Sequence, residues 1–368
     1  MSENFNGKDY GDYFKSLEER LSKNVEPKIT PRKPQKREKR GIYKVISLKK
    51  AVLPIAIITA VVITAAVVLP KIGKAKTDTT DESGSKPSGS LQTAEAPEPI
   101  ITYKTDSEVA EIPADNDCEA AIIVNTKTDK VVAQRNPKKR LYPASTTKVM
   151  TLLVACENIE NYDDTFTMTL DITDPLFVAG ASVAGFLNGE EITMTDLLYG
   201  LILPSGADAA LALAEKTAGS EAEFVKLMNK KAEALGLTDT HFENTTGLFD
   251  SNHYTTAYDM AVILETALKN PVCKKILSTK RYTTSSTPKH PEGIEFSATL
   301  FDYMYGTEPE TATILAGKTG FVNESGYCIA SYGTNNETGN EYIVVTLKNS
   351  SRWPAFHGQI DLYKQFAK

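Results

Sequence analysis

The sequence predicts an α+β domain in which strands from both ends of the globular part share one antiparallel sheet, with a helical subdomain packed beside it and one transmembrane helix in front. Three observations predict it. An uncharged apolar run covers Ala51 to Leu69, alternating apolar runs after residue 119 are answered by others after residue 311, and between them apolar residues recur at helical spacing.

The run AVLPIAIITAVVITAAVVL holds 19 residues without a charge. At about 1.5 Å of rise per residue it makes roughly 28 Å of helix, enough for a bilayer core. A cleaved signal peptide opens on a short basic segment, whereas a polar tail of residues 1–50 precedes this run. It therefore reads as a signal-anchor over residues 51–70. Arg32, Lys33, Lys36, Arg37, Lys39, Arg40, Lys44, Lys49 and Lys50 flank it on the N-terminal side, opposed by Glu38, against Lys71, Lys74 and Lys76 beyond it. That bias places the N-terminus in the cytoplasm and the remainder outside, in a single-pass cell-membrane protein.

Charge divides at the same place. Residues 1–76 carry 17 Lys and Arg against 7 Asp and Glu, and the rest of the chain carries 24 against 40. An external part near −16 excludes a nucleic-acid partner, because phosphate binding needs a basic face, while the basic tail suits anionic lipid headgroups. Residues 71–100, with TDTTDESGSKPSGSLQTAEAPEP inside them, hold little to bury and read as a flexible spacer. Cys118, Cys156, Cys273 and Cys328 are far apart with no C-x-x-C, so no structural zinc, disulfide framework or catalytic cysteine is expected.

The globular part, residues 101–368, opens with AAIIVN (Ala120–Asn125), a TKTDK turn and VVAQ (Val131–Gln134), a β-hairpin. After Tyr142-Pro143-Ala144, Val149, Leu152, Leu153 and Cys156 mark a helix with Ser145 as its N-cap or a first-turn residue. Further helices follow at Thr195–Leu203, Ala207–Ala218, Glu221–Leu235 and Thr256–Lys269. Strands Ala312–Leu315, Gly326–Gly333 and Glu341–Lys348 come next, and Phe356–Ala367 is a closing helix.

Ser145 and Lys148, three residues apart, share one helix face, where an amine can approach a hydroxyl as a nucleophile and its base require. The spacing alone is unspecific, since it recurs at Ser47–Lys50, Ser83–Lys86 and Ser286–Lys289. Company distinguishes Ser145: Pro204-Ser205-Gly206 precedes a helix, and Gly317-Lys318-Thr319-Gly320 follows an apolar strand.

With these three motifs, and with YPASTTKVMT, LLYGLILPSGADAA, ENTTGLFDSNHYTTAYDMA and GKTGFVNESGYC, the chain from about Glu119 onward resembles the D-alanyl-D-alanine carboxypeptidases of the low-molecular-mass penicillin-binding proteins, serine peptidase family S11. The resemblance implies a β-lactamase-like fold. It also implies Ser145 as nucleophile, Lys148 as its base and Ser205 as proton relay. Lys318, Thr319 and Gly320 would bind substrate, and the backbone N–H groups of Ser145 and Phe321 would form the oxyanion hole. The implied substrate is a peptidoglycan stem peptide, β-lactams are implied as covalent inhibitors, and no cofactor or metal is called for.

Burial and the neighbouring Lys318 cation should both lower the Lys148 pKa. The family usually has Asn where this chain has Ala207, for which Asp208 is a candidate substitute. His253 reads as a structural histidine that pins a loop, and His241, His290 and His357 lack ligand spacing. Two alternatives stand: a non-catalytic or weakly active cell-wall peptide binder, and a β-lactamase, against which the missing E-x-x-L-N pattern speaks. Between carboxypeptidase and transpeptidase the sequence does not choose.

Overall fold

The hairpin strands β2 (Ala120–Asn125) and β3 (Lys130–Arg135) form as their alternation predicts. β2 is buried along its whole length, which an uninterrupted apolar run requires when both faces of a sheet are covered. Ala120, Ile122 and Val124 point into a large core shared with the helices, while Ala121 and Ile123 point into a second core under the C-terminal helix. The period of two that separates these sets is that of an extended chain. Each fully buried Ile or Val contributes about 1.5–3 kcal/mol, so β2 is a main source of stability.

β10 (Glu341–Asn349) pairs antiparallel with β2, Val344 opposite Ile123, and joins the two ends of the globular part. β9 (Gly326–Asn335) pairs with β10, β8 (Ala312–Val322) pairs with β9, and with β1 (Ala110–Glu111) at the other edge the order is β1-β3-β2-β10-β9-β8. Two details differ from expectation. β1 (Ala110–Glu111) runs parallel to β3, so the sheet is not wholly antiparallel. β8 also does not stop at Leu315: a bulge between Ile314 and Ala316 absorbs one residue, and the strand continues through Lys318, Thr319 and Gly320 as the outermost of the sheet.

The structure, a computed structural model, describes residues 100–105, 108–307 and 309–368. The basic tail, the 51–70 span and the spacer up to residue 99 lie outside the described residues, and no described helix is long and apolar enough to cross a membrane.

The helical subdomain is built around Lys148–Asn158, buried on every side from Lys148 to Cys156, as expected of a helix that runs through a core. Around it lie Met194–Ile202, Ala207–Ala218, Glu221–Ala234 and Ala257–Lys269. Thr193, Ser220 and Thr256 cap three of these by accepting a backbone N–H three residues on, and Gly219 ends Ala207–Ala218 in a left-handed conformation. The closing helix Arg352–Phe366 covers the opposite face of the sheet. The four cysteines are free and buried.

Candidate active site

Ser145 is not a helix cap. It sits inside a 3-10 turn, Ala144–Thr147, that feeds directly into the Lys148 helix without a side-chain capping bond. Ala144 holds a left-handed φ of 48°, a strained conformation for a residue with a Cβ. Its surroundings hold the turn in place. Thr146 Oγ1 donates to Pro143 O (2.7 Å), Leu141 and Thr255 exchange backbone hydrogen bonds, and Thr147 Oγ1 is 2.8 Å from His253 Nε2.

Two glycines admit the chain segments that press on this turn. A Cβ on Gly320 would lie 2.8 Å from Ser145 N, and one on Gly247, whose φ is +80°, would overlap Ala144 O. Side chains there are excluded, so β8 and the Asn244–Leu248 loop both close on the nucleophile's backbone.

Lys148 is 2% exposed. Its Nζ lies 3.2 Å from Ser145 Oγ and donates to Thr246 O at 2.6 Å. Burial lowers its pKa to about 7, against an opposing pull from the Asp208 carboxylate. A neutral amine so placed donates to the carbonyl and keeps a lone pair for the Ser145 proton.

A second pair stands opposite. Lys318, also 2% exposed, donates from Nζ to Ser205 Oγ and to Thr319 O, each at 2.9 Å. Its pKa is lowered well below the usual amine range by burial, then by the Lys148 cation. Burial is the first cause of the lowering at both lysines. Ser205 holds a left-handed φ of 66° just before the Ala207–Ala218 helix, a second strained backbone at the site.

Ser145, Lys148, Ala207 and Phe321 line one cleft of about 380 Å³ with Ala179–Ser182, Thr246–Phe249 and Val322–Glu324. Ser205, Lys318, Thr319 and Gly320 are not among its lining residues; Lys318 links Ser205 to Lys148 by a hydrogen bond to the one and charge repulsion with the other, and Gly320 lies against the Ser145 turn. A family model for D-alanyl-D-alanine carboxypeptidases matches residues 106–351, which include all of these residues. The chain belongs to this peptidase family, S11.

Among similar proteins, D-alanyl-D-alanine carboxypeptidase DacF of Bacillus subtilis is 32% identical over 253 residues, 68% of this chain and 62% of the relative. A D-alanyl-D-alanine carboxypeptidase of Streptomyces sp. strain K15 is 30% identical over 239 residues, 63% of this chain and 80% of that one. The crystal structure of the Streptomyces K15 DD-transpeptidase matches with a TM-score of 0.60 and 28% identity over 67% of this chain and 96% of that one. The chain thus spans about 62% of the length of the Bacillus relative, and it has the α+β penicillin-binding fold.

Beside Ala207 in this S11 chain, Asp208 serves the fold. Asp208 is buried, its Oδ1 accepting from Ala184 N and Ala209 N and its Oδ2 from Gly185 N. It ties the Ala184–Gly185 backbone to the start of the Ala207–Ala218 helix. His253 behaves as expected of a structural residue. Its Nδ1 accepts from Glu243 N (3.2 Å), which leaves Nε2–H to donate to Thr147 Oγ1, and burial pushes its pKa down to about 4.

Thr246, Gly247 and Asn244 were not singled out by sequence reasoning. Asn244 Oδ1 accepts from Thr246 N, Thr246 Oγ1 and Gly247 N, an Asx turn that aims the Thr246 carbonyl at Lys148. The Asn-x-x-Gly spacing was its only visible signal. Among the described residues no cluster of His, Cys, Asp and Glu fits a metal ion.

Proposed function

We propose that this protein is a serine D-Ala-D-Ala carboxypeptidase that removes the terminal D-alanine from peptidoglycan stem peptides through an ester on Ser145. The observation that carries the reading is Lys148: an amine buried against Ser145 Oγ, with its pKa at about 7, electrostatically coupled to a Lys318 that donates to Ser205.

Ser145 Oγ attacks the carbonyl carbon of the penultimate D-alanine, and its proton passes to Lys148 Nζ. The N–H groups of Ser145 and Phe321 receive the oxyanion. Lys318 and Thr319 hold the terminal carboxylate, whose negative charge favours a protonated Lys318. Ser205 hands a proton to the leaving amine as the C–N bond breaks, and is resupplied from the lysines. Water then attacks the ester, giving a proton to Lys148 while Ser145 leaves as the alcohol. Water as acceptor, rather than a second amine, is supported by the carboxypeptidase name of the Bacillus relative; the Streptomyces K15 enzyme carries both a carboxypeptidase and a transpeptidase name.

The Ala207 position favours a second reading, a weakly active or non-catalytic cell-wall peptide binder, because the cleft lacks the side-chain amide of the family there. β-Lactams are proposed as covalent inhibitors at Ser145. The 51–70 run is proposed to anchor the enzyme in the cell membrane, with its N-terminus cytoplasmic and the catalytic domain outside.

The test is mass spectrometry of the full-length chain after penicillin, beside D-alanine release from a peptide ending in D-Ala-D-Ala. An adduct on the Ser145 peptide and release lost in Ser145→Ala are expected. No adduct and no release would sink the enzymatic reading in favour of the binder.

A further inference from the structure

The loop that carries Thr246 is held to the rest of the protein by groups that no step of the acyl transfer uses. From Thr245 to Leu248, four consecutive backbone N–H groups donate to side-chain oxygens: Thr245 N to Glu221 Oε1 (2.9 Å), Thr246 N and Gly247 N to Asn244 Oδ1 (3.2 and 2.7 Å), and Leu248 N to Thr246 Oγ1 (3.2 Å). Asn244 and Thr246 belong to the loop itself. Glu221, in the first turn of the Glu221–Ala234 helix, is the acceptor in this set that reaches it from outside.

Glu221 Oε1 accepts twice, from Thr245 N and from Thr245 Oγ1 at 2.8 Å. Thr245 O accepts in turn from Thr151 Oγ1 at 2.7 Å, and Thr151 lies three residues beyond Lys148 on the same helix face. All three polar groups of Thr245 are thus engaged, and the residue is fully buried. The peptide unit between Thr246 and Gly247 is the one that meets the base. Its C=O accepts from Lys148 Nζ at 2.6 Å, while its N–H is tied back to Asn244.

Neither Glu221 nor Thr245 lines the cleft, so any effect they have on the reaction passes through the Thr246 carbonyl. That oxygen matters most as the proton moves. When Lys148 takes the Ser145 proton it becomes an ammonium, and a hydrogen bond from an ammonium is roughly twice as strong as one from a neutral amine. A carbonyl already held at 2.6 Å needs no reorganisation when the charge arrives.

We propose that Glu221 is a positioning residue for acyl transfer, its Oε1 fixing Thr245 so that the Thr246 carbonyl stays aimed at Lys148 while that lysine takes up and returns the proton. The inference rests on the reaction proposed above and adds to it a residue from outside the cleft. The role calls for an acceptor oxygen and not for a charge, since both bonds fall on the same oxygen. An amide oxygen supplies the same acceptor.

The test uses the full-length chain in detergent as wild type, Glu221→Gln and Glu221→Ala. It reads kcat and KM for D-alanine release beside a carbon-13 NMR titration of the Lys148 Cε, assigned by comparison with Lys148→Met. Glu221→Gln should keep kcat and the titration close to wild type. Glu221→Ala should lose about tenfold in kcat at unchanged KM, and its Lys148 should titrate at lower pH than in wild type, because the ammonium has lost an acceptor. Thr245→Val, which removes the hydroxyl bond and leaves the backbone one, should shift both readings the same way by less, and it decides the matter if Glu221→Ala does not fold. A merely structural Glu221 would move the melting temperature and leave the titration alone. An unshifted Lys148 titration, an unchanged kcat, or a Glu221→Gln as impaired as Glu221→Ala overturns the proposal. A titration shifted in Glu221→Ala and restored in Glu221→Gln, with no D-alanine release by wild type, counts against the hydrolytic reaction and leaves the positioning standing.

Discussion

Lys148 Nζ stands 3.2 Å from Ser145 Oγ while donating to Thr246 O, so the base is positioned by a backbone carbonyl on one side and the nucleophile on the other. With its pKa at about 7, the neutral form grows as pH rises through that value. The second-order rate constant for acylation by a fluorescent penicillin should climb about tenfold per pH unit below 7 and level off above it. A profile flat from pH 5 to 9 would remove Lys148 as the base.

The same burial has a price in stability. A lysine whose folded pKa is lowered penalises the fold wherever the unfolded lysine is protonated, partly between the folded and unfolded pKa values and fully below the folded one. Lys148→Met should therefore abolish activity and raise the melting temperature, by more at pH 6 than at pH 9. The gain is several kcal/mol in order of magnitude, since one pKa unit corresponds to about 1.4 kcal/mol. An equal gain at both pH values would contradict the depressed pKa.

For His253 the direction is similar and the outcome opposite in use. Its folded pKa of about 4 lies below the ordinary histidine value, so its contribution to stability is whole above the unfolded pKa and is lost as pH falls through the interval between them. NMR titration of its ring should show no protonation above pH 5. His253→Ala, which strands the Thr147 hydroxyl and the Glu243 N–H, should destabilise the fold by about 1–3 kcal/mol.

Gly320→Ala places a methyl 2.8 Å from the Ser145 N–H, where the oxyanion is to sit. A loss of about 10²–10³ in kcat is expected, the magnitude of one lost oxyanion donor. An unchanged kcat in a folded variant would place the oxyanion elsewhere.

Ala207→Asn restores an amide at the cleft wall. One gained hydrogen bond is worth about 1 kcal/mol, so kcat/KM for D-alanine release should rise roughly fivefold. A fall would mean that this cleft is shaped around alanine.

Much of the fold was legible because its signals are periodic. The Ala120–Arg135 hairpin and the helices Ala207–Ala218 and Glu221–Ala234 formed within a residue or two of where apolar spacing put them. Leu170–Val178 was not foreseen: it is short, contains Pro175, and buries only Ile172 and Leu176, so it offers too few turns for a period to show. The three-residue strands Thr165–Thr167, Glu191–Thr193, Arg281–Thr283 and Glu295–Ser297 are too brief to alternate visibly. At the site, Ser145, Lys148, Ser205 and Lys318 were readable as side chains in motifs. The Thr246 carbonyl and the Gly247 approach were not, since a backbone atom's role leaves little trace in residue identity.

β8 is the outermost strand, and its unpaired side is closed off at both ends of the stretch that matters: the Ser145 turn lies across Gly320, and the Lys318–Ser205 contact sits two residues earlier. A ribbon threaded along this rim meets a dead end. A chain that continued past its scissile bond would have to pass the Lys318–Ser205 contact, whereas one that stops there would not. For the proposed carboxypeptidase, a preference for chain termini would then be a matter of clearance, set by where the track runs out.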